Sequence, residues 1–381
     1  MDPANRSASA MTLSRVEQNN PALAELNVTM LGGAGGYWPR HRPDLARLGD
    51  AIGNNTNLWM LDIVNDHGFA DMAANNGAFL DGIFGNISMG ALFLTHFDLF
   101  AGVGRDILNG FVANNSNITG IGLKECALGN GGATILLSAV TRCTNLEDIM
   151  LAGCDIDDDI LVGFVQGIRG LHQLRTLDLS WNNFGRTGCE ALATMLQDLN
   201  GNLHDLGLEG SGRIDDKCAT ILANSLKGNH KLKSLNLSCN DAITDNGWDA
   251  FFQVLCNASS VNDTYLSNHA LQDIDIDVDL PFKLYSLLEL NSGVDKKQVA
   301  VQKILRSHPH LDMEPFLEWD LKVLPLAVSW FDQARYHAQN DQSAIDAKKL
   351  SAINHFVRAL PMMFVPPPSK ETNKRKIGEV N

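Results

Sequence analysis

Three segments of this 381-residue chain, LRTLDLSWNNF from Leu174, LHDLGLEGSGRI from Leu203 and LKSLNLSCNDAI from Leu232, repeat one arrangement at intervals of 29 residues. Apolar side chains at repeat positions one, four and six alternate with others, which is the period of a strand with one buried face. Each strand precedes a run with helical spacing. GCEALATMLQDL places Leu192, Leu196 and Leu199 at i, i+4 and i+7, and KCATILANSLKG follows in the next unit. A strand and a helix in 29 residues cannot bury both apolar faces alone, so the units must stack and share one core.

Extending the comparison outward finds MGALFLTHFDL from Met89, ITGIGLKECAL from Ile118 and LEDIMLAGCDI from Leu146. LWMLDIVNDHGF from Leu58 and VNDTYLSNHAL from Val261 are weaker copies, the second with Thr264 where leucine is expected. These eight copies start 28 to 31 residues apart, and LAELNVTML from Leu23 predicts a ninth strand at the N-terminal end. Position nine holds Cys126, Cys154, Asn182 and Asn240, side chains suited to bonding the backbone of the turn that leaves the strand. Cys189 and Cys218 share one offset in adjacent helices, which predicts packing rather than nucleophilic roles.

The spacing L-x-x-L-x-L-x-x-N/C-x-L is that of leucine-rich repeats at the long end of their range. At LRTLDLSWNNFGRTGCEALATML the chain resembles the ribonuclease-inhibitor-like class of these repeats, over roughly residues 20 to 290. The resemblance implies an α/β solenoid, a horseshoe with parallel strands on its concave face and helices on its convex face, and a concave face that binds other proteins. Beyond the repeats, LLELNSGVDKKQVAVQKILRSHPHLDMEPFLEWDLKVLPLAVSWFDQAR and KKLSAINHFVRALPMMFV resemble the C-terminal region of leucine-rich repeat proteins of diatoms and related algae. Activators of the Ran GTPase share the repeat, which makes regulation of a small GTPase the alternative reading. They typically end in an acidic tract, whereas this chain ends PPPSKETNKRKIGEVN.

Four segments are expected: a disordered N-terminus over 1–20, the solenoid over 21–279, a last strand in YSLLELN with a helical C-terminal cap over 280–365, and a flexible tail over 366–381. The helix DKKQVAVQKILRS should stop before Pro309.

Composition bears on partners. Thirty Lys and Arg against 44 Asp and Glu give a formal charge of -14, which opposes nucleic-acid phosphates and favours a basic protein partner. Neither a signal-like apolar core nor an apolar run of membrane-spanning length is found, so a cytoplasmic monomer without membrane attachment is expected, with a nuclear location open. Seven cysteines without CxxC pairs suit reduced thiols.

Two motifs invite chemistry and fail its requirements. LGGAGGYWPRHRP from Leu31 sits between a strand-like and a helix-like run, yet Trp38 occupies the place of the third glycine of a dinucleotide loop, and Gly-Lys-Ser/Thr is absent. A nucleotide-dependent activity at residues 32–42 is therefore the enzyme-class alternative; the favoured reading gives the loop the task of covering the solenoid's N-terminal edge. DIDIDVDL from Asp273 has Val278 and Leu284 where a calcium loop needs Gly and Glu, so its aspartates read as one solvated strand face. HPHLDME, with His308 and His310, reads as a turn. No catalytic residue, cofactor or metal is expected.

Repeat positions three, five and seven point away from the core. Over the eight copies from Leu58 they carry Asp62, Asp148, Asp178, Asp205, Glu209 and Asp263 against Lys124, an acid share above that of the whole chain. Phe93 and Tyr265 face the same way, with Trp181 beside them at position eight. The expected function is a non-enzymatic scaffold that holds a basic protein partner on this face through Phe93, Asp148, Asp178, Trp181, Asp205, Glu209, Asp263 and Tyr265.

Overall fold

The computed structural model describes residues 11–29, 42–66, 69–74, 76–100, 102–115, 117–276 and 282–308. The chain separates into two units, 1–307 and 308–381, and the repeats form the first. The glycine-rich loop, the aspartates from 277 onward, HPHLDME beyond His308, the cap beyond that residue and the tail lie outside the described residues.

Nine strands, β1 (Glu25–Val28), β2 (Met60–Val64), β3 (Ala91–Thr95), β4 (Gly120–Lys124), β5 (Asp148–Ala152), β6 (Thr176–Asp178), β7 (Asp205–Gly207), β8 (Ser234–Asn236) and β9 (Asp273–Asp275), pair in chain order into one parallel sheet. Helices α1 (residues 11–17), α2 (Arg42–Gly53), α3 (Phe69–Ala73), α4 (Gly77–Gly85), α5 (Val103–Asn114), α6 (Gly129–Val140) and α7 (Asp158–Ile168) belong to the first half. Then follow α8 (Arg186–Leu196), α9 (Asp216–Ser225), α10 (Asp245–Leu255), α11 (Val261–Tyr265), α12 (Phe282–Asn291) and α13 (Lys296–Ser307). Strand and helix alternate as an α/β leucine-rich repeat solenoid requires.

The register carries the repeat into three dimensions. Leu177 pairs with Leu206 and Leu206 with Leu235, and all three are buried in one continuous core. Position six repeats the pattern with Leu179, Leu208 and Leu237. β1 pairs with β2 as the ninth copy expected from LAELNVTML.

Polar side chains bind the turns. Asn182 donates from Nδ2 to the carbonyls of Leu151 (2.7 Å) and Leu179 (2.8 Å), while its Oδ1 accepts from the backbone N–H groups of Cys154 and Ile156. Asn240 repeats this toward Leu208, Leu237 and Ser211. The Cys126 and Cys154 thiols donate to Leu94 and Leu123. A second ladder, which the sequence reading missed, closes the helix-to-strand turns. Asn268 donates to the carbonyls of Leu226 and Asn229 and accepts from the N–H groups of Ala270 and Leu271; Asn86 does the same toward Ile52, Asn55, Ser88 and Met89. Each buried amide thus satisfies backbone groups of two units that burial would otherwise leave unpaired.

Three expectations need correction. VNDTYLSNHAL is not a strand: Ser260 caps α11 by accepting from the Asp263 N–H (3.0 Å), and the buried Thr264 hydroxyl donates to the Asn257 carbonyl (2.8 Å). A hydroxyl with such local partners favours a helical turn over a core strand position. The last strand is DID, with Ile274 beside Leu235, so the final unit runs from Leu232 to Leu271, 39 residues, around an inserted helix. YSLLELN is likewise no strand but lies in α12, whose Asn291 donates to the Leu271 carbonyl (2.6 Å). At the other end, residues 11–17 form α1 where disorder was expected to reach residue 20: Leu13 and Val16, three apart on one helix face, are buried against the first repeat.

Candidate binding face

The sheet presents repeat positions three, five and seven on its open face, and the register places Phe93, Asp148, Asp178 and Asp205 there as the alternation predicts, with Glu209 two residues beyond β7 lining the same groove as Phe93 and Asp178. Asp263 and Tyr265 are not on this face, because they belong to α11; Tyr265 is an exposed aromatic elsewhere. Glu25, Asp273 and Asp275 join the acidic set through β1 and β9. Among the described strands Lys124 is the one cation at these positions. Neighbouring strands lie about 4.8 Å apart, inside the roughly 8 Å screening length of physiological salt, so the carboxylates act on an approaching charge together.

A column of left-handed residues borders the face. His96, Glu125, Gly153, Trp181, Gly210 and Cys239, all at position eight, have φ between 51° and 66°. The N–H groups of the first five reach across to the next unit, as in Trp181 to the Glu209 carbonyl (2.6 Å) and Gly210 to the Ser238 carbonyl (2.9 Å). This cross-unit bond holds even non-glycine residues in a conformation that L side chains otherwise disfavour.

Large side chains on the face lean toward glycines of the next unit. A β-carbon on Gly122 would come within 2.1 Å of the Phe93 ring, one on Gly207 within 2.5 Å of the Asp178 carboxylate, and one on Gly210 within 2.5 Å of the Trp181 indole. Trp59 leans on Gly90 in the same way at the strand entry. The missing side chains leave a groove of about 460 Å³, floored by Gly122, Met150 and Gly207 and bordered by Phe93, Asp178, Trp181 and Glu209. Trp181 is 56% exposed despite its size, so the groove has an unburied aromatic at its rim.

Hydrogen bonds fix the acids. Asp178 accepts from the Ser180 N–H (2.9 Å), Glu209 from the Asn236 amide (3.2 Å), and Asp62 from the Asn27 amide (2.8 Å). Burial raises the Asp62 carboxyl above its ordinary range, offset in part by Asn27 and Lys124. These groups offer fixed acceptors to a cation.

Cys239 borders the face, its thiol donating to the Glu209 carboxylate, while Cys126, Cys154, Cys189 and Cys218 are buried in the core. Burial pushes the Cys126 thiol up to about 11 and Cys154 up to about 12, away from the thiolate needed for reactivity. Cys189 is raised by its hydrogen bond with Cys218 and by burial. Among the described residues no group of three or more His, Cys, Asp or Glu is placed to hold a metal ion, and no helix is long and apolar enough to cross a membrane.

Comparison with known proteins agrees with this geometry. A family model described as "Leucine Rich repeat" matches residues 171–193 and 228–252. NACHT, LRR and PYD domains-containing protein 14 of Mus musculus is 31% identical over 142 residues, which are 35% of this chain and 14% of that protein. NACHT, LRR and PYD domains-containing protein 4C of Mus musculus is 27% identical over 192 residues, 50% of this chain and 19% of that protein. The chain thus matches less than a fifth of the length of these curated relatives. A chain from the crystal structure of the Rad7 and Elc1 complex in yeast aligns with a TM-score of 0.44 at 16% identity, covering 67% of this chain and 63% of that one. The repeat register and the sheet give an α/β leucine-rich repeat fold, and the family model matches two segments of it.

Proposed function

We propose that the chain is a non-enzymatic scaffold that holds a basic segment of a partner protein on the open sheet face. The observation that supports this reading most directly is the groove itself: an exposed Trp181 seated over Gly210 beside Asp178 and Glu209. A lysine or arginine entering it meets carboxylates fixed by hydrogen bonds, and its aliphatic stem or guanidinium lies against the indole. Aromatic anchors supply most of the affinity in such interfaces, whereas surrounding charges set encounter rate and partner choice.

Affinity capture with the full chain, compared with Trp181→Ala and with Asp178→Lys/Asp205→Lys/Glu209→Lys, tests the reading. Partners held by the wild type and lost from both variants support it. Partners retained equally by all three place binding elsewhere. A captured small GTPase whose GTP hydrolysis the chain accelerates identifies the chain as a GTPase regulator instead.

A further inference from the structure

The inserted helix α11 creates a second groove, of about 860 Å³, where the chain passes from helix to strand. Its lining draws on four places: Lys227 and His230 in the turn between α9 and β8, Gln253 and Val254 of α10, α11 with the turn after it, and Lys296 and Lys297 at the start of α13. Ordinary units of 28 to 31 residues have no counterpart of α11, which packs against α13.

The charge of this groove is opposite to that of the chain. Lys227, Lys296, Lys297 and His230 face one lining carboxylate, Asp263, which is engaged as acceptor of the Ser260 hydroxyl (2.7 Å). The neighbouring Asp295 caps α13 by accepting from the Lys297 and Gln298 N–H groups. Among the described residues no carboxylate forms an ion pair with Lys227, His230 or Lys297. Burial first, and then the nearby charge of Lys233, lower the Lys296 amine, so cations crowd one another here. His269 is held neutral by burial and by the nearby Lys303, which leaves the lysines as the source of positive potential. Tyr265 and Leu266, both more than half exposed, add two apolar side chains to the same groove.

We propose that this groove docks an acidic segment of a partner protein that carries an apolar anchor residue. Charges spread over separate elements suit an extended chain better than a point anion, which needs convergent donors. Tyr265 and Leu266 supply the apolar contact that a free phosphate cannot use. The volume lies within the range of about 300–1,000 Å³ typical of ligand sites. This surface is independent of the sheet-face reading, since none of its lining residues borders the groove beside Trp181.

Fluorescence anisotropy with the full chain and a fluorescein-labelled peptide of alternating glutamate and serine around a central phenylalanine tests the proposal. Saturable binding is expected, weakened about tenfold or more by Lys227→Glu/Lys297→Glu, weakened about threefold by Tyr265→Ala, and unchanged by Trp181→Ala. The glutamine version of the peptide should not bind. Circular dichroism checks the fold; should the double reversal unfold the chain, Lys227→Gln/Lys297→Gln is expected to weaken binding in the same direction. Absence of saturation, binding indifferent to these lysines, displacement by millimolar inorganic phosphate, or preference for anionic lipid vesicles over the peptide would overturn it.

Discussion

The indole of Trp181 lies over Gly210, so close that a β-carbon on the glycine would come within 2.5 Å of the ring, and both residues have left-handed backbones with φ of 59° and 61°. The pair is the point where repeat geometry becomes surface chemistry, because the glycine lets the aromatic settle without burying it. Gly210→Ala should cost about 1–2 kcal/mol through backbone strain. It should also displace the indole, giving a change in tryptophan emission that is absent from a Trp181→Phe background. Urea midpoints and emission spectra of the two pairs check both effects.

Asn182 carries the turn between two units. Its replacement by alanine leaves the Leu151 and Leu179 carbonyls and the Cys154 and Ile156 N–H groups without this partner, a loss on the order of 3 kcal/mol. Asn182→Cys should be milder, since Cys126 and Cys154 already bond the equivalent carbonyls of the units before them. Chemical denaturation of the two variants measures the difference, and equal losses would mean that the side-chain bonds matter little.

Stability should depend on pH through buried amine and thiols. Lys303, fully buried with its Nζ donating to the Leu255 and Asn268 carbonyls, is lowered to about 7 by burial. Between pH 7 and the ordinary lysine value of 10.5 the unfolded chain binds more protons at this site, so its contribution to stability grows as pH rises. Cys126 and Cys154 act in the reverse sense above pH 9, where the unfolded thiols ionise while the buried ones do not. The urea midpoint should climb from pH 7 to 9, and Lys303→Met should flatten that climb.

The repeat was legible because strand alternation and stacking leave a strict signature: Leu177, Leu206 and Leu235 announce their equivalence 29 residues apart. The acids of β5 to β7 followed from the same register. The last unit was misplaced because Val261 stands at the expected interval while the true position one, Leu271, comes after an insertion. A usable signal was present. Asn55, Asn86, Asn229 and Asn268 each stand three residues before position one, and the buried asparagine ladder they form marks Leu271 as a repeat start. Had it been read, Asp263 and Tyr265 would have left the face. The groove was illegible for another reason: pairs such as Phe93 with Gly122 lie on different units, and their contact depends on side-chain lean that spacing does not encode.

The central claim is that the open sheet face steers a basic partner by charge and retains it by aromatic contact. Surface plasmon resonance of a captured partner against wild type, Asp178→Lys/Asp205→Lys/Glu209→Lys and Trp181→Ala, at two salt concentrations, tests it most directly. The triple reversal should slow association about tenfold or more and abolish most of its salt dependence, while Trp181→Ala should leave association intact and speed dissociation. Association and dissociation rates indifferent to both sets of substitutions and to salt would contradict it.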